Sequence, residues 1–277
     1  MVALRALVAA GIEVPLVVTR PDRRRGRGGD LTPSPVKAAA LDLGLAVSDR
    51  VADTLDVGVE LGVVVAYGRI ISRTVLEALP MVNVHFSLLP RWRGAAPVER
   101  AVLAGDSDTG VCLMALEEGL DTGGVYHRAT TPIDENEPVG VLRARLADMG
   151  AKLLVDALGA GLGETVPQHG EATYAAKIDP GELRLEWTQA AAQLARLVRV
   201  GRAWTLWRGK RLLVAGAEVV PGEAPEGSHP GQLIDDTVVT GDGRLRLLRV
   251  QPEGRALQSG VEWLRGARPG SGATLGS

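Results

Sequence analysis

Residues 61–66 read LGVVVA, a short, continuously apolar run rich in β-branched side chains. A strand with one wet face alternates apolar and polar residues. An unbroken run of this length therefore fits a strand covered on both faces, as in the parallel sheet of an α/β unit. The neighbouring segments have the rhythm such a sheet requires. Residues 2–10 show helical spacing of apolar groups, and the β-branched run 14–19 follows Gly11. Ser34 as N-cap, Pro35 at the first helical position and Gly44 as a stop predict a helix over 35–43. The alternation continues through a helical segment at 75–79 and a strand at 82–85.

A chain of 277 residues exceeds most single cores, so two units are expected. A long helical pattern at 139–158 ends in Gly159, Gly161 and Gly163, and the sequence stays polar and turn-rich to Pro180. This places a first domain at 1–163 and a linker at 164–182. Beyond it the pattern changes to one helix (189–199) and short strands (211–220, 237–240, 244–250) broken by Gly, Pro and Asp, which predicts a small β-barrel domain over 183–265. Residues 266–277 form a tail whose composition predicts disorder.

Formal net charge is −2, so no global field draws the protein to a polyanion; the local exception is the arginine cluster from Arg20 to Arg27. The single cysteine, Cys112, excludes an intramolecular disulfide and makes the cytoplasm the expected compartment. The apolar N-terminal run carries Arg5 and Glu13 and breaks at Gly11 and Pro15, unlike a signal peptide, and no stretch reaches the roughly 18–20 apolar residues of a membrane span. Four histidines and one cysteine show no metal-ligand spacing, so no metal is expected.

The densest chemical signal is NVHFSLLPRWRGAAP at 83–97, where a predicted strand runs into a loop of Pro, Gly and Arg. Side-chain alternation puts Asn83 and His85 on one face and Val82 and Val84 on the other. Ligands of open parallel sheets sit beyond the carboxyl ends of the strands, where this segment ends. Downstream, EEGLDTGG at 117–124 places Asp121 in a glycine-flanked turn after a strand candidate at 111–116. Taken singly, an Asn or His satisfies a buried backbone group and an Asp shapes a turn. In combination they form a candidate chemical centre.

SLLP flanked by Asn, His and Gly, followed by a glycine-bracketed LDTG, resembles the folate-dependent formyltransferases. The segments PDRRRGRGGDLTPSPVK (21–37), VVVAYGRI (63–70), PRWRGAAPVERAVLAGD (90–106) and VQPEGR (250–255) extend the likeness over nearly the whole chain. They are similar to the branch of that family that acts on methionyl-tRNA. The resemblance implies a Rossmann-like parallel-sheet domain followed by an OB-like barrel. It implies 10-formyltetrahydrofolate as co-substrate, methionyl-initiator-tRNA as acceptor, a monomer, and no membrane or metal. Asn83, His85 and Asp121 are the implied catalytic residues. Ser87, Leu88, Leu89 and Pro90 are the implied folate loop, with Val65 and Tyr67 walling the same pocket. Arg23, Arg24, Arg25 and Arg27 are implied to meet tRNA phosphates, and Trp204, Trp207, Lys210 and Arg211 to add backbone contacts.

The sequence departs from the family pattern in places. The family places a strand and a glycine turn before the helix that 2–10 resembles, so a sheet lacking that strand, with bare backbone edges, is expected. Phe86 stands where a glycine is usual and is expected to narrow the pocket. Gly29 and Asp30 replace a basic pair, and Gly201, Arg202, Ala203 and Trp204 replace a proline-rich turn. Two other readings are a formyltransferase for an amino-sugar nucleotide and an inactive tRNA-binding remnant.

Overall fold

The structure, a computed structural model, describes residues 1–25 and 30–276. It divides into two compact units: Met1–Pro97 with Asp108–Pro132 and Arg143–Ala176, and Val98–Ser107 with Ile133–Leu142 and Lys177–Ser277. Among the described residues no helix is long and apolar enough to cross a membrane.

The chain opens with α1 (Val2–Ala9) and β1 (Val17–Val18), then an antiparallel pair, β2 (Arg23–Arg25) and β3 (Asp30–Thr32). α2 (Pro35–Asp42) starts as its sequence requires: the Ser34 hydroxyl accepts the Lys37 N–H at 3.0 Å and Pro35 occupies the first turn. β4 (Val47–Ser48), β5 (Gly62–Val64), α3 (Arg73–Ala78), β6 (Met81–His85), β7 (Arg93–Gly94) and α4 (Pro97–Ala104) follow. Then come β8 (Asp108–Ala115), β9 (Val125–Pro132), α5 (Val139–Ala160) and β10 (Tyr174–Ala175).

The main sheet of the first unit has the order β5-β6-β8-β9, with β5 parallel to β6 but β8 and β9 antiparallel. It is therefore mixed rather than wholly parallel as expected. The reason lies in the connection: 116–124 joins β8 to β9 directly, whereas a parallel pair needs a crossover of about a dozen residues or more. All five residues of β6 are buried, as a central strand demands. α5 covers the face of Val84 and Val111 closely, since a Cβ on its Gly150 would lie 2.9 Å from Val84 Cγ1.

β1 and β4 form a separate two-stranded parallel sheet, so the first unit carries two half-sheets. Between them lies a cleft of about 760 Å³ lined by aliphatic side chains including Leu4, Leu7, Val17, Val63 and Met81. The N–H groups of Val17 and Thr19 bond Ala46 O and Ser48 O at 2.9 and 3.0 Å, which turns the Val18 N–H away from β4. Gly62 N–H bonds Pro80 O at 2.8 Å, which likewise turns the Val63 N–H away from β6. Among the described residues neither of these edges pairs with a further strand.

The second unit contains α6 (Ala191–Val200), β11 (Trp204–Trp207), β12 (Lys210–Val220), β13 (Leu233–Ile234), β14 (Thr237–Val239), β15 (Arg244–Pro252), β16 (Gln258–Ser259) and α7 (Gly260–Ala267). Its antiparallel sheet has the order β11-β12-β15-β14-β13, with β16 added on β15. Leu194, Leu212, Val214, Leu245, Val250 and Trp263 lie in its core. Residues 266–276 are ordered, against the expectation from composition. Leu275 is buried, its N–H bonds Gly231 O at 2.8 Å, and the Gly276 N–H bonds Leu206 O at 2.9 Å. One aliphatic anchor and backbone pairing suffice, and composition reports neither.

Candidate active site

β6 delivers Asn83 and His85 to one face of the sheet. Their cross-strand partners are Met114 and Cys112, which with Leu89 and Val125 form a small buried cluster. The polar pair therefore stands against an apolar floor, where electrostatic interactions are weakly screened. Asn83 is 9% exposed, and its amide finds no hydrogen-bond partner among the described residues. Neither atom of that amide is both buried and without a partner, so the group is open to solvent and free to pair with a ligand.

His85 Nε2 lies 2.9 Å from the Trp92 carbonyl oxygen. A carbonyl only accepts, so Nε2 carries a proton and Nδ1 is the nitrogen left for chemistry. Nδ1 faces Asp121 Oδ2 at 3.7 Å, beyond hydrogen-bond length but within ion-pair reach. His85 is buried at 6% exposure and Asp121 is partly buried at 12%. The same Asp121 Oδ2 accepts the Gly94 N–H at 2.7 Å. Imidazole and carboxylate thus meet in one place, and Asn83 shares their strand face about 7 Å along β6.

The turn that carries Asp121 requires its glycine. Asp121 has φ +50°, a left-handed conformation that Asp tolerates, and a Cβ on Gly123 would lie 1.9 Å from Ala115 O. Gly94 is similarly constrained, with φ +117° and the Ala175 carbonyl 3.0 Å from any Cβ placed there.

The other sequence candidates divide. Ser87 is buried and donates to Arg91 O at 2.6 Å, and Leu89 spends its side chain on the apolar floor. Leu88 and Pro90 are half-buried. Val65 and Tyr67 line the cleft between the half-sheets, whose lining includes none of Asn83, His85, Asp121 or 87–90. Phe86 does not enter the site. Its ring lies against Gly150 of α5, on the face opposite His85, as strand alternation dictates. Arg24 is exposed, and Arg27 lies outside the described residues. Arg20 is committed to the Tyr67 carbonyl at 3.1 and 3.3 Å and to that of Gly68 at 3.3 Å.

Sequence reading missed the backing of the site. Residues 166–175, read from composition as linker, belong to the first unit. Val166 exchanges both backbone hydrogen bonds with Val125 at 2.8 and 2.9 Å, and β10 pairs in parallel with β7. The Thr173 hydroxyl accepts the Trp92 N–H at 2.9 Å. The only signal for this was TYA at 173–175, too short to distinguish from loop. No group of three or more His, Cys, Asp or Glu arranged to hold a metal occurs among the described residues.

Residues 4–158 match the formyl transferase family and residues 177–268 its C-terminal domain. A methionyl-tRNA formyltransferase of Ruegeria pomeroyi is 44% identical over 95% of this chain and 92% of its own length. One from Symbiobacterium thermophilum is 43% identical over 96% of this chain and 88% of its own. Among solved structures, an N-formyltransferase from Helicobacter canadensis in complex with folinic acid and dTDP-3-aminofucose superposes with a TM-score of 0.67 at 15% identity, covering 90% of this chain and 94% of its own. HypX from Aquifex aeolicus in complex with tetrahydrofolic acid gives 0.61 at 19% identity, covering 84% of this chain and 44% of its own. At those identities the structures speak to fold alone, whereas the two family models and the sequence relatives span both units: the chain belongs to the formyl transferase family.

Proposed function

We propose that this protein transfers the formyl group of 10-formyltetrahydrofolate to the amino group of methionyl-initiator-tRNA, with Asn83, His85 and Asp121 as its catalytic residues. The observation that carries this reading is the Asn83 amide, unpaired within the protein and open to a ligand, on the strand face that also holds the His85–Asp121 pair. The amine attacks the formyl carbon, and negative charge collects on the formyl oxygen of the tetrahedral intermediate. Asn83 Nδ2 and a protonated His85 Nδ1 donate to that oxygen. Asp121 takes the proton lost by the amine and passes it to the folate nitrogen as the oxyanion collapses to a carbonyl and the carbon–nitrogen bond to the folate breaks, leaving the formylated acceptor and tetrahydrofolate. Fixed donors in a poorly screened site are worth about 100- to 1,000-fold each in rate.

The folate meets the loop 87–90 through backbone groups, because the side chains of Ser87 and Leu89 are already committed. In the second unit, read as an OB-like module over 183–265, Arg211 and Arg184 lie over the Trp204 ring at 4.6 and 5.7 Å and Arg208 over Trp207 at 4.8 Å. These cations favour phosphate contact over base stacking, since they already cover the ring faces. Arg23, Arg24, Arg25 and Arg27 complete the proposed tRNA contacts. The protein acts as a cytoplasmic monomer.

The test incubates purified protein with 10-formyltetrahydrofolate and charged initiator tRNA, and in parallel with an amino-sugar nucleotide. Formation of formylated methionyl-tRNA that His85→Ala and Asp121→Ala each slow by orders of magnitude, to a measurable residual rate, supports the reading. Product on the sugar only, or tRNA retained without product, rejects it.

A further inference from the structure

Gln168 occupies the junction between the two backbone segments that hold Asp121. Its Oε1 accepts from Arg93 Nε at 3.1 Å and Nη2 at 2.7 Å, and its Nε2 donates to the carbonyls of Asp121 and Gly123, both at 2.8 Å. Both lone pairs and both N–H groups are used, so the amide has one permitted orientation. Rotating it by half a turn would set its oxygen against two carbonyls and its NH₂ against a guanidinium.

The two arms grip the two sides of the catalytic carboxylate. Arg93 immediately precedes Gly94, whose N–H binds Asp121 Oδ2 at 2.7 Å. The other arm clamps the Asp121 turn by its own carbonyl and by that of Gly123, where the backbone is left-handed at Asp121 with φ +50°. Gln168 itself is anchored by the Val166–Val125 backbone pair before it and the β10–β7 pair after it. A turn held by one strand end alone would let the carboxylate drift, and a displacement of about 1 Å at a reacting group costs up to about 100-fold in rate.

We propose that Gln168 is a positioning residue that sets the distance between Asp121 and His85 by clamping the Asp121 turn to the Arg93–Gly94 strand. The proposal rests on Asp121 being catalytic. It also specifies the residue type. A glutamate at 168 keeps the Arg93 contact but faces the two carbonyls with an oxygen, an asparagine is one methylene short, and a methionine keeps the volume with neither arm.

The test is a double-mutant cycle on purified full-length protein, measuring kcat and KM for methionyl-tRNA formylation. Gln168→Met and Gln168→Glu are each expected to lower kcat about 10- to 100-fold while both KM values stay within about two-fold. In an Asp121→Ala background the same changes are expected to lower kcat no further, because a residue acting through Asp121 has nothing left to position. Gln168→Glu is the decisive variant if Gln168→Met folds poorly, because it retains the Arg93 partner. Wild-type kcat in Gln168→Glu overturns the proposal, as does a full further loss in the Asp121→Ala background. Undiminished kcat in Asp121→Ala alone overturns the catalytic reading of Asp121 instead, which separates the two failures.

Discussion

Two regions of the same unit handle their backbones in opposite ways. Around His85 and Asp121, a strand end, a left-handed turn and the segment 166–175 are sewn together by main-chain and side-chain hydrogen bonds, over a floor of fully buried aliphatic and sulfur side chains. Between β1 and β5, two strand edges face a cleft of about 760 Å³ walled by aliphatic side chains, with N–H groups such as those of Val18 and Val63 turned away from their pairing strands. Rigidity in this unit is therefore distributed unevenly, and the proposed catalytic groups lie in the closed part. Preorganisation of the site does not depend on a continuous sheet.

The largest expected effect tests the closed region directly. Asn83→Ala is expected to lower kcat by about 100- to 1,000-fold in the formylation assay with little change in melting temperature, because its amide holds nothing in the protein. A melting point that falls together with kcat would make Asn83 structural. Next, Gly123→Ala places a methyl against Ala115 O and is expected to destabilise the protein by about 1–3 kcal/mol and to reduce activity, measured by urea unfolding and steady-state kinetics. Unchanged stability would mean that the Asp121 turn is free to move.

The contrast itself is sharpened by paired truncations. Leu113→Ala, in the closed sheet, is expected to cost about 2–5 kcal/mol, whereas Leu7→Ala, on the cleft wall, is expected to fall below that range because one side of Leu7 already faces void. Equal losses would break the comparison. The same difference is expected in hydrogen exchange, with the Val18 and Val63 amides exchanging faster than those of β6. The smallest expected effect concerns Cys112. Burial raises its thiol pKa, opposed by a backbone hydrogen bond at Leu89 and by Arg128, so it stays protonated across neutral pH. Native protein is expected to react with a thiol reagent near pH 8 much more slowly than unfolded protein, and rapid modification would show that the closed region opens.

Much of the first unit could be read from local signals. Ser34 and Pro35 fixed a helix start to the residue, because capping is encoded within four positions. The alternation in β6 assigned Asn83 and His85 to one face and, applied one residue further, should have placed Phe86 on the other. Non-local pairing was less visible. The direction of β8 against β6, the gap between β1 and β5, and the return of 166–175 onto β7 depend on contacts between segments far apart in sequence, which leave no periodicity. Gln168 shows this most clearly: an exposed-looking glutamine in a polar stretch has no local mark of importance, and its proposed role follows only from four hydrogen bonds to three residues on two distant segments. Likewise Leu275 sits in a glycine-rich tail whose composition conceals its anchor.

The bond from His85 Nε2 to the Trp92 carbonyl has a consequence for proton traffic. Trp92 is itself tied through its N–H to Thr173, so the acceptor is immobile and the imidazole cannot turn over without breaking that contact. The ring therefore has a single working port. Protons that enter or leave it do so at the nitrogen facing Asp121, and the carboxylate becomes the gatekeeper through which the site exchanges hydrogen with water.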